Sequence, residues 1–303
     1  MDTNDTFVVN VPEIVEYYFL MGNNFFNQGD FVSAAESYAQ VALIDPSVPW
    51  TFYNLACCLY NTRQFQVGAN TCRDGLKYRP DDPDLLYMLG ECLVKMKHWE
   101  EARAFYEAAL VTRPDWSKPY IGLAQAYAAC EEFSAVIDAL KMAVRLDPQD
   151  LNALYELADV CDYLGLFQEA AHYLKRAIWL APSNPNFHRK LGSALLNLRH
   201  FSEAKEVTKR AIRLDPYEPL SHLCLGIVCA AQKDFAEAAD SLQWAIRLRP
   251  KLFEAHFELA LVWQAMGRQK KANREFGRAF IIDRQKCRDR VTKRRELVKP
   301  FNK

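Results

Sequence analysis

Three histidines, His188, His222 and His256, recur at intervals of 34 residues. Imidazole is the commonest protein ligand for a metal ion, so a ladder of this kind is the first place to look for chemistry. If equivalent positions sit on neighbouring helices they lie about 8–10 Å apart, whereas zinc ligands bind at ~2.0–2.3 Å. The ladder is therefore read as packing histidines with a polar tip, and no metal is expected. Cys57-Cys58 and Cys224…Cys229 lack the spacing of a zinc site, and Cys58 and Cys92, one interval apart, are read as small core residues. The chain has no Gly-rich phosphate loop, no G-x-S-x-G, no H-E-x-x-H and no C-x-x-C. Its carboxylates are expected on solvent positions, with no shielded pair for acid–base work. The expectation is a protein with no catalytic site and no cofactor.

The interval of 34 belongs to the whole chain. Pro46, Pro80, Pro114, Pro148, Pro182, Pro216 and Pro250 follow it, as do Phe31, Phe65, Trp99, Phe133, Phe167, Phe201 and Phe235. A third register runs Ala34, Gly68, Ala102, Val136, Ala170, Ala204, Ala238, Ala272. A fourth runs Met21, Leu55, Leu89, Leu123, Leu157, Leu191, Leu225, Leu259, each followed by Gly or Ala. Each unit reads as two helices. In residues 83–116 the first carries Leu86, Leu89, Gly90 and Leu93 at helical spacing, a turn falls near Lys97-His98, and the second carries Ala102, Tyr106, Ala109 and Leu110. Pro114 lacks an N–H and biases its predecessor away from helical dihedrals, which stops the second helix. One such pair cannot bury its apolar faces, whereas stacked pairs bury each other's.

These small-residue, aromatic and proline positions resemble the tetratricopeptide repeat family. The resemblance covers eight units, 15–48, 49–82, 83–116, 117–150, 151–184, 185–218, 219–252 and 253–286, flanked by an acidic segment 1–14 and a basic cap and tail 287–303. It implies an all-α fold, a right-handed α-solenoid (superhelix) of eight helix-turn-helix units. Two departures carry expectations. Gly68 and Gly75 should weaken the second helix of their unit. Gln269 and Arg284 replace the aromatic and the proline of the last unit, so its second helix should run on through Asp289–Leu297 as a polar cap.

The resemblance also implies that the first helices line a groove, which they face with the second, fifth, sixth, ninth, twelfth and thirteenth position of each unit. Those positions hold Phe19, Asn23, Phe26, Trp50, Tyr53, Asn54, Tyr60, Tyr87, Glu91 and Tyr155. Aromatic rings give large contact area at low entropy cost, and Asn both donates to and accepts from a peptide backbone. The expected ligand is an extended or amphipathic peptide segment of a partner protein, held by a scaffold or adaptor. The other reading of the aromatics is that they pack only on each other. Some family members clamp acidic tails of heat-shock chaperones with two Asn and three basic residues. Here Asn23 and Asn54 are present but the basic positions hold Phe19, Asp84 and Met88, so that ligand is not expected. Residues 15–116 are also similar to chaperones that guard hydrophobic translocators in type III secretion, on the aromatic fifth positions, Cys58 and Leu89-Gly90-Glu91-Cys92-Leu93.

The 303 residues carry 38 Lys+Arg against 38 Asp+Glu, which removes any global electrostatic pull toward nucleic acid or membrane. A hydrophobic share of 50% is too high for a disordered chain. The balance hides polarity: no Lys or Arg precedes Arg63, while residues 268–303 hold fourteen basic against four acidic side chains. Arg288, Arg290, Lys293, Arg294 and Arg295 are the candidate basic docking patch, for an acidic partner or for the acidic end of another copy. A structural subunit that associates through its charged ends is thus the alternative to a peptide-binding scaffold. Few aromatics interleave with the patch, so nucleic acid is not the expected ligand. No run reaches the roughly 18 apolar residues of a membrane helix, and the start is acidic where a secretory signal is basic. The expectation is a cytoplasmic protein whose nine Cys are free thiols.

Overall fold

A computed structural model describes residues 11–297, with side chains from 11 to 290. Among the described residues there are seventeen α-helices and no strand. They alternate as first and second helices of a repeat: α1 (Val11–Asn27) and α2 (Phe31–Ile44), α3 (Thr51–Asn61) and α4 (Phe65–Tyr78), α5 (Pro83–Lys95) and α6 (Trp99–Thr112), α7 (Ser117–Ala129) and α8 (Phe133–Leu146). The series continues with α9 (Leu151–Tyr163) and α10 (Phe167–Leu180), α11 (Pro185–Asn197) and α12 (Phe201–Leu214), α13 (Pro219–Ala231) and α14 (Phe235–Leu248), α15 (Phe253–Ala265) and α16 (Gln269–Ile282). The last helix, α17 (Arg284–Leu297), is unpaired in the repeat sense. The chain forms two compact units, residues 1–153 and 154–303. In the first unit each helix from α1 to α7 packs on the next, and in the second each helix from α10 to α16 does; first helices also touch the next first helix, α3 with α5 and α5 with α7 in one, α11 with α13 and α13 with α15 in the other. First helices thus make one layer and second helices another, the stacked-hairpin class expected from the repeat.

The period has a backbone counterpart. Gly29, Arg63, Lys97, Glu131, Gly165, Arg199, Lys233 and Gly267 all have φ between 60° and 79°, at the turn between the two helices of each repeat. Around Arg63 the amide of Gln64 bonds the Leu59 carbonyl (2.8 Å) and Arg63 N–H bonds the Tyr60 carbonyl (3.0 Å), the pattern that closes a helix on a left-handed residue. At the other turn the residue ahead of each proline is extended, as at Arg113 (φ −134°, ψ 78°) before Pro114.

The small registers are buried: Ala34, Ala102, Ala170, Ala204, Ala238 and Ala272 are all 0% exposed. Gly90 makes room for an aromatic ring rather than a backbone. A Cβ there would sit 2.6 Å from Cε1 of the fully buried Tyr106, and one on Gly122 would meet the same ring. Gly75 has a parallel role, since a Cβ would lie 2.7 Å from Phe52 Cβ. The expected weakness of α4 is therefore offset by close packing that only glycine permits.

Three boundaries differ from expectation. Helix α1 starts at Val11, so part of the segment 1–14 is helical; residues 1–10 lie outside the described residues. The last second helix does not run on. Asp283 is extended (φ −148°, ψ 98°), ends α16 through its N–H to Ala279 O, and its carboxylate accepts from Lys286 N (2.8 Å) to start α17 at once. Trp50 lies outside α3, at its N-cap with φ 69°. Where Asp82, Asn184 and Glu218 cap a helix whose first residue is proline, Val48 ahead of Pro49 has no side-chain oxygen to offer, and the helix begins two residues later.

Candidate functional site

The first-helix layer of the amino-terminal unit gathers most of the expected groove residues. Phe19 packs edge-on to Tyr38 (5.8 Å) and Phe26 to Phe31 (5.3 Å); all but the fully buried Tyr38 are half-buried. Tyr38 hydroxyl donates to Asn23 Oδ1 at 2.6 Å and Asn54 bonds it as well, so both Asn side chains already serve an internal partner. Trp50 remains half-exposed, 6.1 Å from Tyr53. Tyr60 stacks edge-on to Phe65 with Lys95 over its ring.

Tyr87 is the best held of the set. Its ring lies 4.7 Å from Trp116 and 5.9 Å from Tyr106. Arg113 covers Trp116 (4.6 Å) and is itself fixed by two bonds to Asp84, of 3.1 and 2.9 Å. Beneath them Glu91 accepts the Tyr106 hydroxyl at 2.7 Å and a bond from Tyr87. Burial pushes the Glu91 carboxyl above the ordinary carboxylate range, against the pull of these bonds and of Lys95 and Lys118. Asp84, Glu91 and, elsewhere, Glu275 correct the expectation that the carboxylates stay on solvent positions: Asp84 and Glu275 are buried and Glu91 is half-buried.

Burial pushes the Tyr53, Tyr60 and Tyr87 phenols up, and Tyr87 lies within electrostatic reach of the other two. They are neutral hydrogen-bond donors at any physiological pH. The neighbouring thiols follow: Cys57 is pushed up to about 11, Cys58 and Cys92 to about 12, all chiefly by burial. A thiol held protonated is a poor nucleophile. The face offers rings, hydroxyl donors and one shielded carboxylate.

In the carboxyl-terminal unit Tyr155 lies apart from this cluster in sequence, packed on Phe187 (5.8 Å) beneath Lys190, which pairs with Asp159. The histidines do not converge. His188, His222 and His256 each place Nε2 2.9–3.0 Å from the carbonyl of the proline six residues earlier, Pro182, Pro216 and Pro250. Each thus ties a first helix to the turn before it. Among the described residues no group of three or more His, Cys, Asp or Glu could hold a metal ion.

Models of the tetratricopeptide repeat match residues 64–126 and 121–186, 155–219 and 189–252. Together they span 64–252, more than half of the chain. The chain is a tetratricopeptide repeat protein. Its family is a non-catalytic repeat for protein–protein interaction, so it is a protein-interaction scaffold in that broad sense. Among solved structures it is similar to a repeat protein of Cytophaga hutchinsonii (TM-score 0.63, 17% identity, 78% of this chain and 98% of that one). It is also similar to YrrB, described as a repeat protein with an unusual peptide-binding site (TM-score 0.57, 22% identity, 62% and 96%). At these identities the likeness speaks for the fold. BBSome complex member BBS4 of Bos taurus is 30% identical over 149 residues, 46% of this chain. The chain spans 28% of that relative's length.

The repeat also explains the basic end. Helix α17 packs on α16, and two of its cations turn inward: Lys286 pairs with Glu254 (2.5 Å) and Arg290 with Glu258 (3.0 Å). Arg290 also lies over the Phe253 and Phe257 rings. Within the expected docking patch, Arg290 is thus a capping contact and not a free cation, because a terminal hairpin must cover its last apolar face. Arg288 is exposed, and the side chains of Lys293, Arg294 and Arg295 lie outside the described residues. No helix among the described residues is long and apolar enough to cross a membrane.

Sequence reasoning did not single out Tyr38, Arg113 and Trp116, which hold the face together, and gave Tyr106 only a core role. A signal existed. Asn23–Tyr38 and Glu91–Tyr106 share one spacing, 15 residues, and the two pairs stand two repeats apart.

Proposed function

We propose that this repeat protein captures an extended or amphipathic peptide segment of a partner protein on the first-helix face of its amino-terminal unit. Phe19, Asn23, Phe26, Trp50, Tyr53, Asn54, Tyr60, Tyr87 and Glu91 are the contact residues on this reading; Tyr155 belongs to the other unit and is not part of this face. The observation that carries it is the way Tyr87 is fixed between Trp116, Tyr106 and Glu91, with Trp50 half-exposed nearby in sequence beside Tyr53. Rings held in place before binding lose little entropy on contact. The Tyr60 phenol, which accepts from Lys95, supplies a directional donor to a peptide backbone without favouring a charged ligand.

The likeness to YrrB, with its peptide-binding site, and to a member of the BBSome complex supports a role in capture and assembly. The test is affinity capture from the native cell with wild type, Trp50→Ala and the Tyr53→Ala/Tyr87→Ala double variant. The double variant is expected to lose partner capture and Trp50→Ala to weaken it, with helical circular dichroism unchanged. Capture that survives in both would assign the aromatics to packing alone.

A further inference from the structure

Between α14, α15 and α16 lies a cavity of about 230 Å³. Its lining runs from the buried Trp263 and Glu275 to the exposed Arg247, Lys271, Arg274 and Arg278. Each cation is held by a partner. Arg247 lies over the Trp244 ring (5.0 Å) and Lys271 over Trp263 (4.7 Å). Arg278 Nη1 and Arg274 Nε approach Glu275 Oε1 at 2.8 and 3.6 Å.

Glu275 offsets only one of these charges. It meets His256 Nδ1 at 2.8 Å, and His256 Nε2 lies 3.0 Å from the Pro250 carbonyl. Arg247, Lys271, Arg274 and Arg278 thus line one small opening with a single carboxylate among them.

We propose that this cavity binds a phosphate monoester dianion. One guanidinium fork satisfies a single carboxylate, whereas a phosphate brings three strong acceptor oxygens and nearly two charges and can use several cations at once. Size sets the limit: the cavity far exceeds the ~30 Å³ of a water molecule and falls short of the ~300–1,000 Å³ of drug-sized ligand sites. It fits a phosphate group on a short stem. Fixed side chains lower the ordering cost that loose surface lysines would incur.

Calorimetric titration of the full chain with inorganic phosphate at low ionic strength, against chloride at matched ionic strength, is expected to show one saturable site with a Kd of about 1 mM or tighter. The exposed Lys271→Gln/Arg274→Gln double variant, and separately Arg247→Gln, should weaken it at least about tenfold with circular dichroism unchanged. A phosphoserine peptide that binds more tightly than phosphate, while its unphosphorylated form does not bind, assigns the group to a protein partner. Equal affinity for phosphate and phosphopeptide assigns the site to small phosphate-bearing molecules. No saturable heat, the same heat with chloride, or undiminished binding in the variants would overturn the proposal.

Discussion

At the amino-terminal face Tyr106 of α6 sends its hydroxyl to Glu91 of α5. At the cavity of the last repeat the position equivalent to Tyr106 is Phe276, and the polar link moves one residue back, to Glu275, which meets His256 of α15. Both links join the two helices of one hairpin, and both place a carboxylate at the centre. The first bonds it to neutral phenols, the second to guanidinium groups. The difference teaches that the packing registers set the hairpin and leave the neighbouring positions to set its chemistry. One repeat can thus present a ring-lined face and another a cationic opening.

The largest expected effect breaks the second link. Glu275→Ala leaves His256 and Arg278 without their partner and should cost about 3–5 kcal/mol in urea unfolding. A loss under about 1 kcal/mol would mean the pair is solvated and the contrast with Glu91 overstated. Next, Gly122→Ala drives a methyl into the buried Tyr106 ring and should cost about 1–3 kcal/mol. The cavity has no counterpart to this glycine–tyrosine contact, and Gly277→Ala on α16, with open space around it, should instead gain about 1 kcal/mol. The shared frame is tested by Glu131→Gly and Lys233→Gly, one in each unit at the same left-handed turn. Each should gain roughly 0.5–1 kcal/mol, since a non-glycine residue there costs about 1–2 kcal/mol before chain entropy is counted. Unequal gains would show that the two frames are not equivalent.

The smallest effects lie in pH. Burial raises Glu91 above the ordinary carboxylate range, so the folded state binds more protons than the unfolded one. Its contribution is present at acid pH and declines as pH rises through the ordinary range to the raised value. Glu237 is the opposite case: its bonds to Lys205 and Lys209 hold it at about 2 against an ordinary 4.5. Its contribution is present above that ordinary value and is lost as pH falls toward 2. Acid unfolding of Glu91→Gln and Glu237→Gln should change slope in opposite senses, and slopes of one sign would contradict the assignment.

Much of the fold was legible. The small-residue register marked all eight repeats and the proline and aromatic registers seven of them, because a hairpin that packs on copies of itself needs the same steric solution each time. The left-handed turn register was less visible, since Arg63, Lys97, Glu131, Arg199 and Lys233 carry no glycine signature and are held positive by the closing hydrogen bonds. The expected groove residues were chosen by position within the repeat, which did not reveal their partners: Trp116 reaches Tyr87 from outside that set of positions, and Val48 moves Trp50 out of its helix.

The sequence by itself determined the all-helical stacked-hairpin class and the periodic small and apolar positions of its core. These depend on periodic sterics along the chain. Only the tertiary structure decided that Asn23 and Glu91 serve buried tyrosine hydroxyls, that Arg290 seals the last repeat, and that four cations line one cavity with the Glu275 carboxylate. Those outcomes depend on distances between side chains of different helices, and the angle at which two hairpins settle fixes them.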